Sequence, residues 1–161
     1  MNQLRLLLAL IVFTVCCPAI ASSLKGSAGA HIDYEVIRAE FGILGQENSG
    51  KPGLVPATVV PLKPNQGYGW VIFLRTAKKK ITWREEFTLP AKPGTWGDPE
   101  PLGTRSVSSD GRTSVTEREV SPEQGAIFNA WTVAPGDPKG RYVIRVFIEG
   151  SLAKVFEFDV E

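Results

Sequence analysis

Cysteine is close to missing from this chain: Cys16 and Cys17 are the two it has, and both fall within the first 21 residues. Histidine occurs once, as His31, so no Cys/His metal cluster can be assembled. A Ser-His-Asp triad would have to use that same imidazole, which sits at the edge of a small, polar lead-in and reads as solvated. No serine occupies a G-x-S-x-G elbow, and beyond the first 21 residues there is no thiol nucleophile. No later apolar run reaches the length needed to span a bilayer. An excess of one charge is lacking too. Lys and Arg number 18, Asp and Glu 17, and Arg5 is the only charge among residues 1–21, so removing that stretch leaves 17 of each. A balanced chain has no basic face with which to release counterions, which argues against general nucleic-acid binding.

What is present begins with a leader. Arg5 precedes an apolar run from Leu6 to Val15, then Pro18 and Ala19-Ile20-Ala21. A short basic region, a run too short to cross a membrane comfortably and a small-residue cleavage site describe a signal peptide over 1–21, cut before Ser22. The expectation is export to the periplasm or the exterior. Cys16 follows Phe13 and Val15, and Cys17 follows Thr14 and Cys16, a poor match to the pattern that directs lipid attachment, so lipidation of either is kept only as the minor alternative. The mature chain travels to a compartment that permits disulfides, yet carries no cysteine. Packing alone must hold it, and about 140 residues suffice for one core. Residues 22–30, SSLKGSAGA, read as a flexible lead-in, and 31–161 as one domain.

That domain reads as all-β. Tyr142, Ile144, Val146 and Ile148 alternate with Val143, Arg145, Phe147 and Glu149, which is the period of a pleated strand. Glu149-Gly150-Ser151 turns it into a partner placing Leu152, Phe156, Phe158 and Val160 on one side, with Lys154 as the break. Upstream, Ile32–Leu44 changes parity at Val36-Ile37, which predicts a β-bulge or a crossing between sheets. Val55–Leu62 is predicted as an edge strand because Pro56 and Pro61 interrupt it. Tyr68–Thr76, Ile81–Leu89, Ser106–Ser109, Thr113–Val120 (a hairpin around Asp110-Gly111) and Ala126–Val133 follow. On Ile81–Leu89, Ile81, Trp83 and Phe87 point inward and Glu85 is the odd member. No helix of useful length has a clear period. Asp137-Pro138-Lys139-Gly140 has the composition of a type I turn. Tyr142 just after it suggests the tyrosine corner of immunoglobulin-like sandwiches, with Ile144 where antibody domains carry cysteine. The expected fold is an antiparallel immunoglobulin-like or fibronectin-like β-sandwich of about seven to nine strands.

AEFGIL at 39–44, WRE at 83–85 ahead of a Pro-rich loop, and W-x-x-x-P-G-D-P-x-G-x-Y-x-I from Trp131 to Ile144 carry a family resemblance. They resemble a small bacterial family of exported proteins, a domain of unknown function with an immunoglobulin-like fold. The resemblance spans nearly all of the mature chain and implies compartment and fold. It brings no catalytic residues with it.

Candidate chemistry is sparse. Glu85-Glu86, Glu117, Glu119 and Glu123 are the carboxylates a glycosidase-like pair would draw on, but neighbours on a strand point to opposite faces. Trp96 lies in the Pro- and Gly-rich loop 91–103 beside Asp98, a pairing able to stack on a sugar ring or anchor a partner. The plainer reading, that the loop folds back and Trp96 closes one end of the sandwich, is preferred. Arg75, Lys78, Lys79, Lys80 and Arg84 gather at one connection and would suit an anionic surface, although such runs usually serve as solvated loops that discourage edge pairing. The composite expectation is a non-enzymatic binding or assembly module without metal or cofactor. Its partner would be a protein or an envelope polymer, engaged through end loops or an exposed edge strand. A carbohydrate-binding domain using Trp96 is the alternative, and a carboxylate hydrolase the distant one.

Overall fold

The computed structural model describes residues 33–46, 52–98 and 102–161. The leader, the lead-in, both cysteines and His31 lie outside the described residues. Ten strands form two facing sheets. Strands β1 (Tyr34–Gln46), β2 (Pro52–Pro56), β4 (Gly67–Thr76) and β8 (Ala126–Thr132) make one sheet in the order β2-β1-β4-β8. The other sheet contains β3 (Val59–Val60), β5 (Ile81–Thr88), β6 (Thr104–Val107), β7 (Thr113–Val120), β9 (Gly140–Ile148) and β10 (Ser151–Val160). Its order is β3-β10-β9-β5-β7-β6. Pairing is antiparallel apart from β3, which runs parallel to the end of β10.

Period-two alternation builds the core. Tyr68, Trp70 and Ile72 of β4 and Ile127 of β8 face Ile81, Trp83 and Phe87 of β5. Tyr142, Ile144, Val146 and Ile148 of β9, with Phe156, Phe158 and Val160 of β10, complete the layer. Each of these large side chains contributes roughly 1.5–3 kcal/mol by leaving water, which replaces the missing covalent staple. The bulge expected in the first strand is present: the β1–β4 register shifts between Val36 and Arg38, leaving Ile37 exposed between two inward-facing parities. The tyrosine corner is present as well, with the Tyr142 hydroxyl donating to the Pro138 carbonyl at 2.7 Å.

Four details differ from the sequence reading. Segment 55–62 is two strands, because the prolines let the chain leave β2 at Pro56 and cross to the other sheet as β3, giving ten strands where nine segments were counted. Leu152 is 55% exposed, because a register shift between Leu152 and Lys154 detaches it from the inward set of Phe156, Phe158 and Val160. Strand β6 spans Thr104–Val107 and stops short of Ser109, because the Asp110 carboxylate accepts from the Ser108 hydroxyl (2.6 Å) and the Arg112 amide (3.0 Å) and widens the turn. The turn before β9 closes at Ala134–Asp137, where the Asp137 amide donates to the Ala134 carbonyl (3.2 Å). Pro135 then Gly136 at φ 89° suits a type II turn better than Asp137–Gly140 suits a type I.

Candidate functional site

The loop after β5 folds back over one end of the sandwich. Its approach to the neighbouring Pro135-Gly136 turn is close, with the Gly94 amide donating to the Gly136 carbonyl at 3.1 Å. A Cβ on Gly94 would meet the Pro135 carbonyl oxygen at 3.0 Å, so glycine permits the contact. Further along, Gly97 takes φ 77° while its amide donates to the Thr95 hydroxyl at 2.9 Å, presenting Trp96 and Asp98 on a tight bend.

Between this loop, the start of β4 and the end of β8 lies a cleft of about 390 Å³. Trp96, Asp98, Arg105, Trp131 and Asp137 line it. Trp96 is half-buried. Its ring meets Phe87 (5.8 Å between centroids) and Trp131 (6.0 Å) edge to face, and its indole N–H donates to the Gly111 carbonyl at 2.9 Å. The loop does fold back and Trp96 does help close the end of the sandwich, yet the ring still borders the cleft with Asp98 near it. Arg105, on β6, clamps the loop: its Nη1 donates to the carbonyls of Trp96 (3.0 Å) and Asp98 (2.7 Å). The guanidinium also lies 5.0 Å from the Trp131 ring centroid. Asp137 accepts from the Ala134 amide at 2.9 Å, and its partial burial raises its carboxyl pKa against that bond.

Behind the cleft wall stands the residue that broke the inward row of β5 in the sequence and was given no role beyond a discounted catalytic one. Glu85 is fully buried, at 0% exposure, on the inward face of β5. One carboxylate oxygen accepts from the Trp131 indole N–H (2.9 Å) and the Asn129 side-chain amide (3.1 Å); the other accepts from the Trp70 indole N–H. Burial pushes its pKa up, opposed by these three donors and by the Arg118 guanidinium. The signal was available: Glu85 shares parity with Ile81, Trp83 and Phe87, and Trp70, Asn129 and Trp131 are among the hydrogen-bonding side chains on the facing inward rows. Glu86 points the opposite way and pairs with Arg84, as expected for strand neighbours. Glu119 pairs with Lys80, whereas Glu117 and Glu123 are exposed. Among the described residues these carboxylates are dispersed, with Glu85 inward, Glu86 on the opposite face and Glu117, Glu119 and Glu123 exposed.

The cluster of basic residues lies at the far end of β4 and start of β5, roughly 30 Å of strand away from the cleft. Arg75 pairs with Glu35 (2.6 Å), Lys78 with Glu149 (2.6 Å) and Asp33 (3.5 Å), and Lys80 with Glu119 (2.5 Å). Arg84 also covers the Phe147 ring at 4.1 Å, and Lys79 is exposed. Four of the five charges are therefore locally matched by carboxylates. Among the described residues no group of three or more His, Cys, Asp or Glu is placed to hold a metal ion, and no helix is long and apolar enough to cross a membrane.

No curated protein matches the sequence. Among solved structures, the chain is similar to an immunoglobulin-like protein of Pseudomonas aeruginosa (PA1606), with a TM-score of 0.56 and 19% identity. That match covers 83% of this chain and all of the other. Looser likenesses carry no argument. The alkylpurine DNA glycosylase AlkC of Pseudomonas fluorescens, bound to DNA with an abasic-site analog, gives 0.44 and 14% identity over 83% of this chain and 32% of that one. A GH20 exo-β-N-acetylglucosaminidase of Vibrio harveyi gives 0.32 and 10% identity over 80% and 18%. The solved structures therefore establish the immunoglobulin-like fold and nothing about activity. Residues 39–161, most of the chain, match the family model described as the PM0630 beta sandwich domain, and the chain belongs to that family.

Proposed function

We propose that this protein is an exported, non-enzymatic binding module that receives a saccharide-bearing envelope polymer in the cleft at the loop end of its sandwich. The observation carrying this reading is that two tryptophans, Trp96 and Trp131, line one cleft together with Asp98 and Asp137. Aromatic edges and faces pack against the C–H faces of sugar rings, while carboxylates accept from hydroxyls. Arg105, the cation at the site, is engaged by two loop carbonyls and the Trp131 ring, so the cleft suits an uncharged or cationic ligand better than an anionic one. Loops held on a rigid sandwich are the usual place for such a site. Export is supported by Arg5, the apolar run that follows it and Ala19-Ile20-Ala21.

The test is a tryptophan-fluorescence titration with a series of soluble envelope-derived oligosaccharides, alongside co-sedimentation with purified sacculi. Saturable change in the wild type, weakened in Asp98→Ala, supports the reading; unchanged fluorescence with no co-sedimentation refutes it.

A second reading, assembly through β8, has one observation in its favour. Strand β8 ends its sheet, carries no charged residue and no proline, and presents Phe128 at 65% exposure. Edge strands are normally guarded by charge, proline or shortness. Concentration-dependent dimerisation in sedimentation velocity would support it.

A further inference from the structure

Behind the cleft is a carboxyl group that lies outside the cleft lining. Enclosing a carboxylate in a core costs several kcal/mol before its partners are counted, and apolar packing is often at least as stable. Glu85 therefore does something that a leucine would not. Of its three side-chain donors, Trp131 alone also lines the cleft. Trp131 stands on an edge strand, where the rotation of its ring about χ2 is intrinsically broad. The indole N–H fixes one edge of that ring to Glu85 at 2.9 Å. The rest of the ring packs on Phe87 (5.0 Å) and Trp96 (6.0 Å) and receives Arg105 (5.0 Å). Arg105 in turn holds the carbonyls of Trp96 and Asp98. Direct contacts thus run from the buried carboxylate to the cleft's inner wall and on to its outer loop.

We infer that Glu85 is the positioning residue of the cleft: by accepting the Trp131 indole N–H it sets the angle of the ring that walls the site and, through Arg105, the placement of the Trp96–Asp98 loop. The role deepens the proposed function and rests on the cleft being the binding surface. Glutamine keeps the shape of the side chain but offers one acceptor oxygen where the carboxylate offers two. Its NH₂ must then confront an N–H, either that of Trp70 or those of Trp131 and Asn129. The charged and titratable groups that sense Glu85 are Arg118 on β7 and Tyr68 on β4.

The experiment uses the ¹⁵N-labelled protein and follows its four indole N–H signals, assigned by Trp→Phe variants. In the wild type, the Trp131 and Trp70 indoles and the Asn129 amide are expected to titrate together, with one shared midpoint above the usual carboxylate range. The Trp96 indole, bonded to the Gly111 carbonyl and not to Glu85, must follow the same midpoint; a carboxyl that only packs moves its three donors and leaves Trp96 still. In Glu85→Gln that shared titration disappears, and in Glu85→Leu, which removes both acceptor oxygens, the Trp131 and Trp96 signals are displaced by several linewidths. The inference is overturned if Trp131 titrates independently of Trp70 and Asn129. It is equally overturned if a folded Glu85→Leu, which leaves the Trp131 N–H no acceptor, keeps the Trp131 and Trp96 signals in place. Should either variant lose its dispersed spectrum, the wild-type titration decides by itself. A wild type with coupled indoles that binds none of the oligosaccharides loses the ligand assignment alone; binding with uncoupled indoles removes the role of Glu85 and leaves the ligand.

Discussion

Replacing Tyr142 by phenylalanine removes one oxygen atom from the core and leaves the ring in place. Tyr142 is buried against Phe87 (5.7 Å) and Phe158 (5.5 Å), so the substitution opens no cavity of consequence. What is lost is the 2.7 Å hydrogen bond to the Pro138 carbonyl, which pins the loop before β9 to the strand it introduces. An intramolecular hydrogen bond of this kind contributes about 0.5–1.5 kcal/mol, and stranding its acceptor raises the cost. Pro138 is half-buried, so water recovers part of that cost, and the expected destabilisation is about 1–2 kcal/mol. For a domain of this size that corresponds to a fall in Tm of about 4–7 °C. Urea denaturation should show a lower midpoint with unchanged slope, because the surface exposed on unfolding stays the same. The same residue makes an alkaline prediction. Burial raises the Tyr142 pKa, so the native state retains its proton where the unfolded chain releases one. Stability is then lost as pH rises past the ordinary phenol value of 10.0, and Tyr142→Phe should flatten part of that loss. Tyr68 and Tyr34, raised by burial in the same sense, and Lys78 and Lys80, raised by their carboxylate partners, contribute to the rest. A Tyr142→Phe protein within about 0.3 kcal/mol of wild type, with an identical alkaline slope, would refute the tyrosine-corner account.

Three further outcomes are expected. Thr116 lies opposite Glu85 across β5 and β7, fully buried, and its hydroxyl has no hydrogen-bond partner among the described residues. Thr116→Val should therefore be neutral or stabilising by up to about 1 kcal/mol in urea denaturation, and a clear loss would show that the hydroxyl is satisfied. Trp96→Ala should cost about 2–3 kcal/mol by the same measurement, because the ring packs on Phe87 and Trp131 and its N–H is bonded to Gly111; a cost near zero would mean the loop does not brace the sandwich. Phe128→Lys should leave stability within about 0.5 kcal/mol, since the ring is exposed, and should abolish any self-association seen by sedimentation velocity.

The architecture was legible wherever alternation was uninterrupted. Strands β4, β5 and β9 bury the parities that their residues announce, and the change of parity at Val36-Ile37 is a real bulge. Reading failed where one residue alters the register without altering composition. The extra residue in β10 turns Leu152 outward, although its spacing from Phe156 is the same as that of Val160 in the other direction. Prolines at 56 and 61 were read correctly as edge signals. That the chain changes sheets between them depends on contacts with β10 that no local pattern encodes.

The site was half legible. Trp96 and Asp98 were found because an aromatic in a Pro- and Gly-rich loop stands out. Trp131, Arg105 and Asp137 reach the same cleft from β8, β6 and the next turn, and only the sheet order brings them together. Glu85 was visible as a break in an apolar row. Its meaning required its three donors, which lie 15, 44 and 46 residues away in sequence. Arg75, Lys78, Lys80 and Arg84 form a cluster in sequence, while in space each stands beside a carboxylate contributed by its own strand, another strand or the β9–β10 turn.

The most direct test of the cleft as the binding surface is chemical-shift mapping of the labelled protein with the tightest-binding oligosaccharide of the series. The account predicts perturbations concentrated at Trp96, Asp98, Arg105 and Trp131, with the β4–β5 connection unaffected. Perturbations confined to β8 around Phe128, or to Lys78–Lys80, would contradict it.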